Sequence, residues 1–104
     1  MTKEIRQKNI EEELNRAKEY LKEINVLLEN EFYIGAVSRL YYYVFHSIRA
    51  LLIKKYYEPK IHEETLRFLG MHFIKPGIIP IEISQIFTKL MKYREELTKY
   101  RTMQ

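Results

Sequence analysis

Residues 37–52, VSRLYYYVFHSIRALL, decide how the rest of the chain folds. Val37, Leu40, Val44, Ile48 and Leu51 recur at the three- and four-residue spacing of one helical face. Tyr41, Tyr42, Phe45 and Leu52 fill the faces beside it. A helix that is apolar around most of its circumference needs cover on several sides. The segment is therefore the central helix of a bundle, a dimer interface, or both. It is predicted to run from about Phe32 to Tyr56 and to stop before Pro59.

Toward the N-terminus, Ile10, Leu14, Ala17, Leu21, Ile24 and Leu28 keep the same alternating spacing and predict an amphipathic helix over about residues 4–29. Asn30 suits its stop, because Asn tolerates the left-handed conformation. Toward the C-terminus, five of the six Gly and Pro residues lie between Pro59 and Pro80, which places the irregular backbone there. A shorter third helix is predicted from His62 to Phe73, followed by a turn at Pro76-Gly77. Pro80 suits the first turn of a last helix over about 80–101, with Glu82 near its positive end. Its inward stripe reads Ile83, Phe87, Leu90, Arg94, Leu97 and Arg101. No strand pattern or internal repeat is present. The prediction is an all-α, up-and-down four-helix bundle with a short third helix, forming one domain over residues 1–104.

Composition agrees. A chain of 104 residues has room for one core, and 46% apolar with 31% charged residues describes neither a disordered tail nor a membrane protein. Cys is absent, which excludes disulfide scaffolds, thiol chemistry and Cys-ligated zinc. No apolar run reaches the ~18 residues of a membrane span, and the first residues lack a signal-peptide core, so a cytoplasmic location is expected. Abundant Lys, Glu, Ile and Tyr resembles the bias of thermophile proteins. Eighteen basic residues against 14 glutamates give a net charge of +4. The excess sits after residue 30, and it favours nucleic-acid or nucleotide partners or simply solvates the surface.

Two positions and one basic stretch could carry chemistry. Arg94 interrupts an apolar stripe, so its guanidinium reaches solvent, pairs with a Glu, or lines a cleft where its fork of donors meets phosphate oxygens. Lys89, Lys92, Lys99 and Arg101 make the same helix the most basic part of the chain. His46 shares a face of the second helix with Arg39 and Tyr43, and is either a satisfied interior histidine or a proton carrier. No metal-ligand spacing, Gly-rich phosphate loop or nucleophile elbow is present, and the absence of Asp removes the usual third member of a serine triad. No metal or cofactor is expected.

The run from Ser38 to Leu52 resembles the second-helix signature, roughly R-x-Y-Y-A-x-F-H-x-x-x-A-L-L, of small stand-alone HEPN-domain proteins. Lys60-Ile61-His62 resembles the K-T-H that opens that family's third helix, and Phe73-Ile74-Lys75-Pro76-Gly77 resembles its F-V-K-x-G turn. The resemblance implies a helical bundle that dimerises and a metal-independent endoribonuclease built on an arginine and a nearby histidine. It also implies a toxin encoded beside a minimal nucleotidyltransferase, which in some systems modifies a tyrosine near the catalytic motif. Arg94 takes the arginine's place, and Tyr100 stands near the tyrosine's. No histidine follows Arg94.

The expected function is thus a HEPN-type RNA- or nucleotide-binding toxin or partner component. Arg94 would be its essential residue, His46 or Tyr100 would assist, and Arg39, Lys89, Lys92, Lys99 and Arg101 would bind the polyanion. A non-catalytic interaction module is the alternative. A helix-turn-helix DNA binder fits less well, because the third helix carries only Arg67 between Glu64 and Gly70. A symmetric homodimer is expected, since a helix apolar on most sides leaves surface to cover.

Overall fold

The computed structural model describes residues 1–103, with side chains through Lys99. Four helices follow one another: α1 (Lys3–Glu29), α2 (Tyr33–Lys54), α3 (His62–Leu69) and α4 (Ile81–Met103). Between α3 and α4, a π-helical turn spans Gly70–Ile74. Among the described residues there is no strand, and the all-α bundle with a short third helix is borne out.

Local chemistry sets the ends of the helices. Thr2 caps α1, its Oγ1 accepting the N–H of Ile5 at 3.1 Å. At the other end Asn30 stays right-handed (φ −101°), and the left-handed residue is Glu31 (φ 59°). Asn30 instead donates its side-chain amide to the carbonyl of Val26 at 2.8 Å. The N–H of Phe32 closes back on the carbonyl of Leu27 at 2.8 Å. α2 ends in the same way. Tyr56 is left-handed (φ 70°), and Tyr57 donates to the carbonyl of Leu52 at 2.9 Å.

α2 lies at the centre. Tyr41, Phe45, Ile48 and Leu52 pack with Leu69 of α3, Phe73 of the π-turn, and Phe87 and Leu90 of α4. Tyr41, Leu52, Leu69 and Phe87 are fully buried, and each such side chain is worth about 1.5–3 kcal/mol of transfer free energy. α1 covers the other side of α2 through Ala17 and Ile24. Gly35 admits the close approach there: a Cβ on it would stand 3.4 Å from Leu27. Among the described residues, α1 comes within 8 Å (Cα to Cα) of neither α3 nor α4. Half of the predicted α1 stripe is therefore uncovered: Leu14, Leu21 and Leu28, spaced seven apart, are exposed. Ile83, Ile86 and Tyr93 of α4 are exposed as well. No helix among the described residues is long and apolar enough to cross a membrane.

Candidate functional site

Arg94 sits one turn beyond Leu90, where the buried face of α4 runs out. Its guanidinium carbon lies 4.6 Å from the ring centre of Tyr41 and 5.4 Å from that of Tyr42. One terminal nitrogen donates to the Tyr42 hydroxyl at 2.9 Å. Among the described residues no carboxylate pairs with it. Its Nε is buried and has no hydrogen-bond partner among the described residues. The charge is thus held by the negative faces of two aromatic rings and one hydroxyl dipole. An unmade hydrogen bond at a buried donor costs about 1–3 kcal/mol, so Arg94 can still gain from an anionic acceptor.

Tyr41 links this arginine to α3. Its hydroxyl is hydrogen-bonded to Nδ1 of His62, the first residue of α3. The imidazole also lies 4.4 Å from the Phe45 ring, centre to centre. Burial, and then the nearby positive charge of Arg94, hold His62 below the usual imidazole pKa. A half-exposed histidine kept neutral beside a fixed cation can accept a proton while the cation faces an anion.

His46 lies elsewhere, at the seam of α1 and α2. Its Nδ1–H donates to Glu13 at 2.5 Å, and the other oxygen of Glu13 accepts from Nε of Arg49 at 3.2 Å. Arg49 also donates to the carbonyl of Pro59 at 3.0 Å, tying the loop after α2 to the cluster. Burial alone would raise the pKa of Glu13. The His46 hydrogen bond and the charges of Arg49, His46 and Arg16 outweigh it and hold the carboxyl below its ordinary value. Tyr20 of α1 stacks on His46 on one side and on Tyr42 on the other, with ring centres 5.7 and 5.4 Å apart. The two clusters therefore touch through one aromatic ring. An open groove of about 450 Å³ lies along Asn15, Arg16, Glu19, Tyr20, Glu23 and His46.

The remaining expected site residues divide by place. Lys89, Lys92 and Lys99 are exposed along α4 with Arg94. Arg39 is engaged at the α1–α2 seam, 3.5 Å from Glu23. The side chains of Tyr100 and Arg101 lie outside the described residues. Tyr41, Tyr42, His62, Glu13 and Tyr20 are site neighbours that helical periodicity does not single out. Lys60-Ile61-His62, at the mouth of a helix, is the one sequence signal for His62.

Comparison with known proteins gives this helical bundle its family. The HEPN domain profile matches residues 10–103, and the chain belongs to the HEPN domain family. It is similar to two proteins of Methanocaldococcus jannaschii. One, named "Putative toxin MJ0605", is 36% identical over 96 residues, covering 88% of this chain and 72% of that protein. The other, named "Putative toxin MJ0142", is 33% identical over 93 residues, covering 88% of this chain and 63% of that protein. A protein of Thermotoga maritima named "UPF0332 protein" is 31% identical over 90 residues, covering 86% of this chain and 68% of its own length. No solved structure matches significantly.

Proposed function

We propose that this protein is a toxin-like HEPN component that binds RNA along α4 and cleaves it without a metal ion, with Arg94 stabilising charge on the scissile phosphate. The observation that carries the reading is the state of Arg94: half-buried, without a carboxylate, on two tyrosine rings, with a buried donor unused. An arginine placed only for stability would be expected to satisfy that donor. The exposed Lys89, Lys92 and Lys99 supply the phosphate attraction along the same helix. Names of toxin relatives support the biological class. The functional unit is a homodimer, since Leu14, Leu21 and Leu28 on α1 and Ile83, Ile86 and Tyr93 on α4 form apolar edges that this fold leaves uncovered. Its partner is a cognate minimal nucleotidyltransferase. Tyr100 and Arg101 extend the basic helix, and Arg39 meets the polyanion from the neighbouring seam, which His46 ties to Glu13.

The test is purified protein with an RNA pool. Cleavage that is lost in Arg94→Ala and retained in chelator supports the reading, and equal cleavage by the variant removes Arg94 from it. Light scattering at tens of micromolar checks the dimer. The second reading, a non-catalytic interaction module, is favoured by the same apolar edges. It predicts no RNA decay but a stable complex with the nucleotidyltransferase.

A further inference from the structure

We propose that His62 is the proton-transfer group of the Arg94 site, taking the proton of an RNA 2′-hydroxyl whose neighbouring phosphodiester Arg94 engages. The inference rests on the cleavage reading above and deepens it by naming the base. α4 itself offers no histidine: Glu95, Glu96, Leu97, Thr98 and Lys99 follow Arg94. Of the three histidines, His46 is committed to Glu13, and His72 lies flat on Tyr57 with ring centres 4.0 Å apart. Only His62 shares a contact residue with Arg94, since both rest against Tyr41.

The geometry holds the imidazole through one nitrogen and one ring face. Nδ1 is engaged by the fully buried Tyr41 hydroxyl, and Phe45 holds the ring. His62 is half-exposed, and no second hydrogen bond reaches it among the described residues. When Nδ1–H donates to the Tyr41 oxygen, Nε2 carries the lone pair and is the nitrogen left to act as a base. The titratable and charged groups that face it are Tyr41 from α2 and Arg94 from α4. Burial and Arg94 disfavour the imidazolium, so the base is unprotonated near neutrality. In the step, the 2′-O–H bond breaks and its proton passes to Nε2 while the 2′-oxygen bonds to phosphorus. The P–O5′ bond breaks, and the departing 5′-oxygen takes a proton from water. Arg94 offsets the negative charge that builds on the non-bridging oxygens. The imidazolium then returns its proton to solvent. The products are a 2′,3′-cyclic phosphate and a 5′-hydroxyl. Tyr41 acts as a positioning residue.

The experiment measures cleavage of a fluorescent oligoribonucleotide as a function of pH by the wild type, His62→Gln, Arg94→Gln and Tyr41→Phe, with circular dichroism of each. The wild-type rate is expected to fall on an acidic limb at the pKa that an NMR titration gives for His62. His62→Gln is expected to lose about 100-fold or more and to lose the limb, the size typical of removing a general base. Tyr41→Phe is expected to shift the limb. Unchanged rate and limb in His62→Gln, with Arg94→Gln inactive, would overturn the histidine and leave the arginine reading standing. An intact wild type that cuts no RNA overturns both. If His62→Gln does not fold, the wild-type comparison decides: a rate limb away from the NMR pKa of His62 overturns the inference.

Discussion

Glu13 and His46, 33 residues apart, meet across the seam of α1 and α2 at 2.5 Å, and Glu13 holds Arg49 with its other oxygen. A carboxylate that is 7% exposed is tolerated there because each of its oxygens has a donor. The cluster also fixes the register of the helix hairpin, since sliding α1 by one turn would part Glu13 from both His46 and Arg49.

Removing the carboxylate takes the acceptor from the His46 Nδ1–H and from Nε of Arg49. Glu13→Ala is expected to cost about 3–5 kcal/mol, the usual penalty for breaking a buried pair from one side. Glu13→Gln keeps an acceptor and is expected to cost about 1–3 kcal/mol. Urea denaturation of the two variants against the wild type checks the order.

Acid weakens the fold in two stages. The folded pKa of His62 lies below its ordinary 6.5, so the unfolded chain takes that proton first and stability falls as pH drops below this value. The folded pKa of Glu13 lies below 4.5, so its contribution is complete above that value and is lost as pH falls through the folded one. Melting temperatures measured from neutrality downward are expected to show both. His62→Gln flattens the upper stage and Glu13→Gln the lower.

Tyr42 orients the arginine through its hydroxyl. Tyr42→Phe keeps the ring stacked on Tyr20 but leaves the Arg94 nitrogen without its acceptor. The expected loss is about 0.5–1.5 kcal/mol of stability. RNA cleavage is expected to fall by a larger factor than that loss accounts for, which rate measurements at saturating protein check.

Two glycines separate conformation from packing. Gly77 has φ 83°, and no atom stands within 4 Å of an added Cβ, so Gly77→Ala costs only the backbone penalty, about 1 kcal/mol. Gly70 is right-handed (φ −62°, ψ −50°) with equally open space, so Gly70→Ala is expected to stabilise by about 0.4–1 kcal/mol. Thermal unfolding of both variants reads the difference in sign.

The four helices were legible because the three-four spacing of apolar residues is a local property. Predicted limits of about 4–29 and 32–56 fall within two residues of α1 and α2. The third helix was expected to continue to Phe73, but from Gly70 the backbone widens into a π-turn, with Lys75 donating to the carbonyl of Gly70 at 2.9 Å. Periodicity shows where a helix has an apolar stripe, not whether a neighbour covers it, so the exposure of Leu14, Leu21 and Leu28 was not legible. Arg94 stood out because it breaks a stripe. His62 and Tyr41 are 21 residues apart, and their meeting depends on how the loop after α2 returns the chain. No spacing rule encodes that path.

α4 shares a much smaller interface with the rest of the molecule than α1 does with α2, and α1 gives it no support. Its detachment would uncover Phe87 and Leu90 but leave the α1–α2 seam whole, so its amides are expected to trade protons with solvent before those of that seam. Arg94 travels with it, so whatever clamps this helix down also decides when the guanidinium meets its tyrosines.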